Sequence, residues 1–407
     1  MKNILFLTLS NVSNIDESGI YQDLLREFSR KGHTVFVVSP TERRNQEKTH
    51  LIKKDNANIL RVKTGNIQKT NLIEKGIATI LLETQYISAI KKYLSDVKFD
   101  LVLYSTPPIT LAGAVQYIKK RDGAKTYLLL KDIFPQNAVD IGMISKTGIK
   151  GLLYQYFRAK EKKLYDLSDK IGCMSPANVE FVLKHNPNVS AEKVEVCPNC
   201  IEPVDMSISN EKRIAMRIKY DIPLDKKVFV YGGNLGKPQG ISFLIECLKK
   251  QTDYEHSYFL IVGDGTEYGK LENYISESRP QNVKLMKRLP KEDYDRMVAA
   301  CDVGMIFLDH RFTIPNFPSR LLAYMQAKLP VLAVTDPNTD VGKIITEGGF
   351  GWWCESKDTS DFVKTVEMIM ADNESKGELA YDYLEKHYSV ENDYKIIITS
   401  VFGKDMI

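Results

Sequence analysis

Four stretches in the second half of this 407-residue chain combine residue types suited to holding an anion. The first is Tyr231-Gly232-Gly233-Asn234-Leu235-Gly236-Lys237-Pro238-Gln239-Gly240. Its four glycines let backbone approach a diphosphate closely, and Lys237 supplies counter-charge. Gly263-Asp264-Gly265 is a tight turn, and Arg288-Leu289-Pro290 follows another apolar run. The fourth stretch, Asn316-Phe317-Pro318-Ser319-Arg320, precedes eight or nine good helix formers. Pro318 suits the first turn of that helix, since its missing N–H would be unpaired there anyway. The backbone N–H groups around Ser319 would favour a phosphate. The glycine stretch is neither a Walker A loop nor a clean GxGxxG, which argues against ATP hydrolysis and hydride transfer.

These stretches need a scaffold to bring them together. Ile4–Ser10, Thr34–Ser39, Ile59–Val62, Asp100–Tyr104, Thr126–Leu130 and Lys170–Met174 read as short buried strands. Helical patterns lie between them, including Gly19–Lys31 and Ile73–Leu94. After Cys197-Pro198-Asn199-Cys200 the alternation restarts at Lys227–Tyr231. It continues through Tyr258–Val262, Val283–Met286, Asp302–Phe307, Pro330–Val334 and Gly351–Cys354, with two helices finishing the chain. The pattern predicts an α/β protein of two doubly wound parallel units joined near residue 200. Every anion-friendly stretch then lies at a strand's carboxyl end, where such sheets take ligands, and a cleft shared by the units is the expected site. The expected domains are 1–200 and 201–380, with 381–407 a helix packing back on the first.

Composition narrows the class. With 43% hydrophobic and 27% charged residues the chain reads as soluble and globular. No apolar run approaches the roughly 18–20 residues that span a bilayer. Met1–Ser10 reads as a first strand rather than a secretory signal, and the six scattered cysteines suit a reducing cytoplasm. Residues 1–200 carry 30 Lys+Arg against 20 Asp+Glu, net +10, and the remainder 26 against 32, net −6. The first half is therefore expected to meet an anionic partner (nucleic acid, anionic lipid or a phosphate-bearing substrate), with a merely solvated basic surface as the alternative. Two basic features stand out. One is the excursion Thr41–Asp55 with Arg43, Arg44, Lys48, Lys53 and Lys54; the other is Tyr154–Tyr165, which mixes aromatics with Arg158, Lys160, Lys162 and Lys163. Cys197-x-x-Cys200 has redox spacing, yet no helix opens after it, so packing is the expected role. The six histidines show no metal-ligand spacing, and no catalytic metal is expected.

In order and spacing, several pieces resemble the retaining nucleotide-sugar glycosyltransferases of family 4, which have the GT-B fold. They are Tyr231–Gly240, Val262–Gly265, Leu289-Pro290, Ala300-Cys301-Asp302 and Pro318–Val331, with the Gly19 loop, Lys31–Val35 and Pro198-Asn199 in the first half. Asp132-Ile133-Phe134-Pro135-Gln136 resembles a subgroup that builds bacterial capsule and O-antigen units, including N-acetylfucosamine transferases.

The resemblance implies a UDP-sugar donor in the second domain and a polyprenyl-diphosphate-linked saccharide acceptor in the first, at the inner membrane face. No cofactor and no nucleic acid are implied. Lys237 and Arg320 would meet the diphosphate, with Gly233 and Asn234 near it and Asp264, Gly265, Pro318 and Ser319 on the same edge. The Arg288-Leu289-Pro290 backbone would face the base, and the Gly19 loop would close on the phosphates. Asp132 is the candidate for orienting or deprotonating the acceptor, with a helix N-cap as its structural alternative. Lys131 would meet phosphate or be solvated. The chain also departs from the family pattern. Two glutamates eight positions apart are replaced by Pro315 and Ala323, an arginine by Asn234 and a lysine by Gln239. A GT-B sugar-nucleotide epimerase and a non-catalytic two-lobed binding protein are the other readings.

Overall fold

In β1 (Asn3–Leu7), Ile4, Leu5, Phe6 and Leu7 are all buried, as expected of a parallel strand covered on both faces. The strands that follow are β2 (Thr34–Glu42), β3 (His50–Lys53), β4 (Asn58–Thr64), β5 (Leu101–Thr106), β6 (Lys125–Leu130), β7 (Lys170–Cys173) and β8 (Val194–Val196). They form one sheet in the order β3-β4-β2-β1-β5-β6-β7-β8, parallel except for β3 against β4. The second sheet has β9 (Lys227–Asn234), β10 (Ser257–Asp264), β11 (Val283–Met286), β12 (Val303–Phe307), β13 (Val331–Thr335) and β14 (Gly351–Glu355). Its order is β11-β10-β9-β12-β13-β14, all parallel. The strand order reverses between β1 and β5 in one sheet and between β9 and β12 in the other. Those are the points where doubly wound sheets open a crevice.

The computed structural model describes residues 1–67, 70, 72–252, 254–372 and 374–404, and the side chains of 72, 73, 75–77, 149 and 150 lie outside that description. The start of the helix expected at Ile73 is thus described by its backbone alone. Two strands escaped the sequence pattern. β3 lies inside the basic excursion, where only Leu51 and Ile52 are apolar, and β8 is three residues long. Three helices, not two, finish the chain: Thr359–Ala371, Gly377–His387 and Val390–Phe402.

The chain divides into Met1–Glu202 with Ser389–Ile407, and Pro203–Tyr388. Helix Gly377–His387, which a boundary at 381 would cut, stays in the second unit against helix Arg320–Gln326. Helix Val390–Phe402 belongs to the first unit. Val390, Tyr394, Ile397 and Ile398 share a buried cluster with Leu24, Leu25 and Phe28. The Tyr394 hydroxyl lies 2.9 Å from His33 Nε2, and the Val390 N–H donates to the Ile201 carbonyl at 3.1 Å.

The same helix carries Asp393, fully buried against the Cys197-x-x-Cys200 segment, whose thiols are free. Cys197 Sγ donates to Asp393 Oδ2 at 3.4 Å, so these thiols pack in the core as expected. Burial raises the Asp393 carboxyl to about 6, with Lys131 and the two thiols working against the rise. A carboxyl raised in the folded state holds a proton that the unfolded chain releases, so its stabilising share is lost as pH rises from about 4 through 6. The shift is worth about 3 kcal/mol. Asp393→Asn should therefore melt at or above the wild type at pH 7.5 and lose that advantage at pH 4.5. Calorimetry showing a pH-independent difference would refute this.

Candidate active site

In the second unit the glycine loop follows directly from β9. Tyr231 is fully buried, and the Tyr324 hydroxyl pins the strand end beside it. That hydroxyl accepts the Gly232 N–H at 3.2 Å and lies 3.2 Å from the Val230 carbonyl and 3.0 Å from that of Met305. Gly233 has φ +115, a conformation side chains rarely adopt. A Cβ on Gly263, its partner across β9 and β10, would fall 2.0 Å from the Gly233 carbonyl oxygen. Gly263→Ala must therefore push the two loops apart. The expected cost is about 1–3 kcal/mol, read as a lower Tm. An unchanged Tm would show that the close approach is not needed.

Asn234 and Gln239 stand where the family pattern has cations, and they bond to each other. Asn234 Nδ2 donates to Gln239 Oε1 at 3.2 Å, and the Gly236 N–H reaches the same oxygen at 3.1 Å. An amide clasp thus closes the loop. The β12 loop joins it where the Asp309 N–H donates to the Pro238 carbonyl at 3.0 Å.

Arg320 opens helix Arg320–Gln326 with its guanidinium carbon 4.2 Å from the centre of the Tyr231 ring. A Cβ on Gly233 would lie 3.7 Å from Arg320 Nη2, so the guanidinium sits against the bend of the glycine loop. Nη1 is buried with no hydrogen-bond partner among the described residues. Burial opposes the charge, and the hydroxyls of Tyr231, Tyr324 and Tyr294 more than offset it, so the pKa is raised and the cation persists. A buried donor left unpaired is costly, and an anion at this point would satisfy it. Asn316 Nδ2, on the same segment, is also buried and unpartnered.

The other residues expected at this edge lie at strand ends with looser roles. Lys237 is exposed and forms no ion pair among the described residues. Asp264 Oδ1 accepts the Gly265 N–H at 2.9 Å, and a Cβ on Gly265 would meet the Leu235 carbonyl oxygen at 2.4 Å, so this turn is explained by packing. Arg288 and Pro290 are exposed after β11, with Leu289 half-buried between them. Pro318 does not enter the helix. Ser319 is the N-cap, its side chain caps nothing, and the helix has seven residues rather than eight or nine. The Leu321 N–H reaches the Pro318 carbonyl at 3.3 Å, a 3₁₀-type turn that uses up the first residues of the expected helix. Gly19, in the first unit, has extended backbone and gives its N–H to Asp23 Oδ1 at 3.0 Å.

The metal expectation rested also on there being no Asp-x-Asp in the sequence, which is wrong, since Asp293-Tyr294-Asp295 is one. It lies on helix Lys291–Ala299 instead of a strand end, with Asp293 paired to Lys219 at 2.9 Å and Asp295 to Lys291 at 2.7 Å. No group of three or more His, Cys, Asp or Glu side chains gathers to hold a metal among the described residues. His310 is exposed, 3.8 Å from Asp309.

In the first unit, Asp132 follows β6. Burial raises its carboxyl to about 6, opposed by hydrogen bonds from Asn137 and the Ile133 backbone. Asn137 Nδ2 donates to Asp132 Oδ1 at 2.7 Å, and Thr106 Oγ1, at the end of β5, reaches the Asp132 carbonyl at 3.1 Å. The N-cap alternative is not realised, because helix Gln136–Asp140 has Pro135 at that position. Lys131 neither meets solvent alone nor stands free for phosphate. Its Nζ donates to the Pro198 carbonyl at 2.8 Å and that of Cys197 at 3.2 Å. Asn199, nearly buried beside this tie, has an unpartnered Oδ1.

Tyr231, Tyr324, Asn316 and Asn199 all lie in stretches singled out from the sequence, but sequence reasoning gave none of them a role of its own. Tyr324 could have been found, since it stands four residues after Arg320 on the same helix face.

Two doubly wound α/β units in one chain make a GT-B fold. Residues 212–383 match the family Glycosyl transferases group 1, and residues 21–204 match Glycosyltransferase Family 4. One match falls in each unit, and the chain is a glycosyltransferase enzyme. It is 26% identical over 322 residues to WbjE of Pseudomonas aeruginosa, named as a probable glycosyltransferase, covering 79% of this chain and 78% of that one. It is 23% identical over 311 residues to WcaI of Escherichia coli K12, named as a candidate colanic acid biosynthesis glycosyl transferase, covering 75% and 74%. Anabaena HepE, solved in complex with UDP-glucose, superposes with a TM-score of 0.70 over 98% of this chain and 99% of that one, at 14% identity. That last likeness is one of fold.

Proposed function

We propose that the chain moves a sugar from a UDP-sugar to a polyprenyl-diphosphate-linked saccharide, with retention, in bacterial capsule or O-antigen synthesis. The second unit takes the donor and the first takes the acceptor. The observation that carries this reading is Arg320, held against the Gly233 bend with a buried donor unpaired. As the bond to the sugar breaks, charge develops on the leaving diphosphate, and a cation fixed there in advance stabilises the transition state. Asp132 orients or deprotonates the acceptor hydroxyl. HepE's complex with UDP-glucose supports the choice of nucleotide, and the naming of WcaI supports a polysaccharide product. The sugar is N-acetylfucosamine or a related N-acetylamino sugar, on the likeness of Asp132–Gln136 to that subgroup. The enzyme works at the anionic inner membrane surface. Among the described residues no helix is long and apolar enough to cross a membrane.

The test is nucleotide release from a panel of UDP- and GDP-sugars, with and without lipid-linked saccharide. Acceptor-dependent UDP release supports the proposal. Conversion of the donor to its epimer without acceptor, or binding without turnover, would replace it with one of the other readings. Turnover is also expected to survive excess EDTA, because Arg320 and Lys237 supply the positive charge. Activity lost in EDTA and restored by magnesium or manganese would overturn that expectation.

A further inference from the structure

Helix Gly148–Leu167 buries Glu161, Leu164 and Tyr165 against the first unit and turns apolar side chains outward at its other end. Leu152 is 68% exposed, Leu153 44% and Tyr156 42%, and Met143 in the preceding turn is 59% exposed. At about 100° per residue, Leu152, Tyr156 and Lys163 share one narrow arc, with Leu153 and Lys160 beside it. Lys160 Nζ lies 5.7 Å from the Tyr156 ring centre, and Lys146 Nζ lies 5.6 Å from that of Tyr154. Lys160, Lys162 and Lys163 form no salt bridge among the described residues. The basic excursion differs, because Arg43 pairs with Glu74 at 2.7 Å and Arg44 with Glu42 at 2.7 Å. With Lys54 4.0 Å from Asp16, three of its five cations are already matched by carboxylates.

We propose that this helix face, with the turn at Met143–Lys146, is a docking surface for an anionic lipid bilayer. Leucine and tyrosine enter the headgroup boundary while the lysines, on long flexible stems, reach the lipid phosphates. Charge selects the occupant. The helix carries Lys150, Arg158, Lys160, Lys162 and Lys163 against Glu161 and Asp166, so a second copy would bring like charge to the same patch. The proposal deepens the membrane part of the function proposed above. Its test uses neither donor nor acceptor, so the two can fail separately.

The full chain is sedimented with vesicles of phosphatidylcholine containing about one-third phosphatidylglycerol, and with phosphatidylcholine alone. Wild type should bind the mixed vesicles and scarcely the neutral ones. Leu152→Gln, Leu153→Gln and Tyr156→Gln together should lower binding by at least about tenfold, since insertion scales with buried apolar area. Ile218→Gln, a 62% exposed apolar position in the second unit, should leave binding unchanged. An unchanged circular dichroism spectrum and Tm in the triple variant would show that the fold survives. Equal binding by the triple variant and wild type, absence of wild-type binding, or a self-association that the triple variant abolishes would each overturn the proposal.

Discussion

Arg320→Ala should weaken UDP binding by at least about tenfold and lower turnover further. The guanidinium is held against the Gly233 bend by the Tyr231 ring at 4.2 Å, and its Nη1 has no protein partner to lose among the described residues. A hydrogen bond to a charged group is worth roughly 1.5–3 kcal/mol, and about 1.4 kcal/mol is tenfold in affinity. Charge on the diphosphate grows as it leaves, so kcat should fall more than affinity does. Arg320→Lys should recover only part of the loss, because an ammonium cannot stack flat on Tyr231 or present the same fork of donors. Lys237→Ala is the comparison. That side chain is exposed and unanchored, so its effect should be the smaller of the two. Calorimetry showing unchanged UDP affinity in Arg320→Ala would remove this residue from the donor site.

Asp132→Asn should cut kcat by about 10²–10⁴ while leaving UDP affinity alone, the range general-base catalysis contributes. Asparagine can still accept the Asn137 Nδ2 bond, so the corner keeps its shape. The pH profile makes the result specific. Burial raises the Asp132 carboxyl to about 6, and a base works only when deprotonated. Wild-type kcat/KM should therefore fall as pH drops through about 6, and the asparagine variant should lack that limb. A variant with full activity, or one keeping the same acid limb, would show that Asp132 only supports its loop.

The alternation of apolar runs and helical patterns sufficed for two parallel sheets, because a strand buried on both faces must be apolar at nearly every position. Phe229 and Val230, or Leu332 and Ala333, show this directly. β3 and β8 escaped for the converse reason. Leu51 and Ile52 sit on an edge strand with polar ends, and β8 is too short to make a pattern. Arg320 and the glycine loop were legible as charge and backbone freedom at strand ends. Which cation is anchored was not legible, since Tyr231 lies 89 positions before Arg320 and no local spacing links a ring to a guanidinium across the sheet. The amide clasp of Asn234 and Gln239 spans five residues, and only the turn between them makes it. The same limit hid the Lys131 ties to Cys197 and Pro198 and the burial of Asp393 beside the cysteines. Sequence alone determines periodicity, turn chemistry and charge, because these act over a few neighbouring residues. Which charged groups are spent inside the fold and which remain free is decided by tertiary structure, because the partners that satisfy them arrive from distant strands.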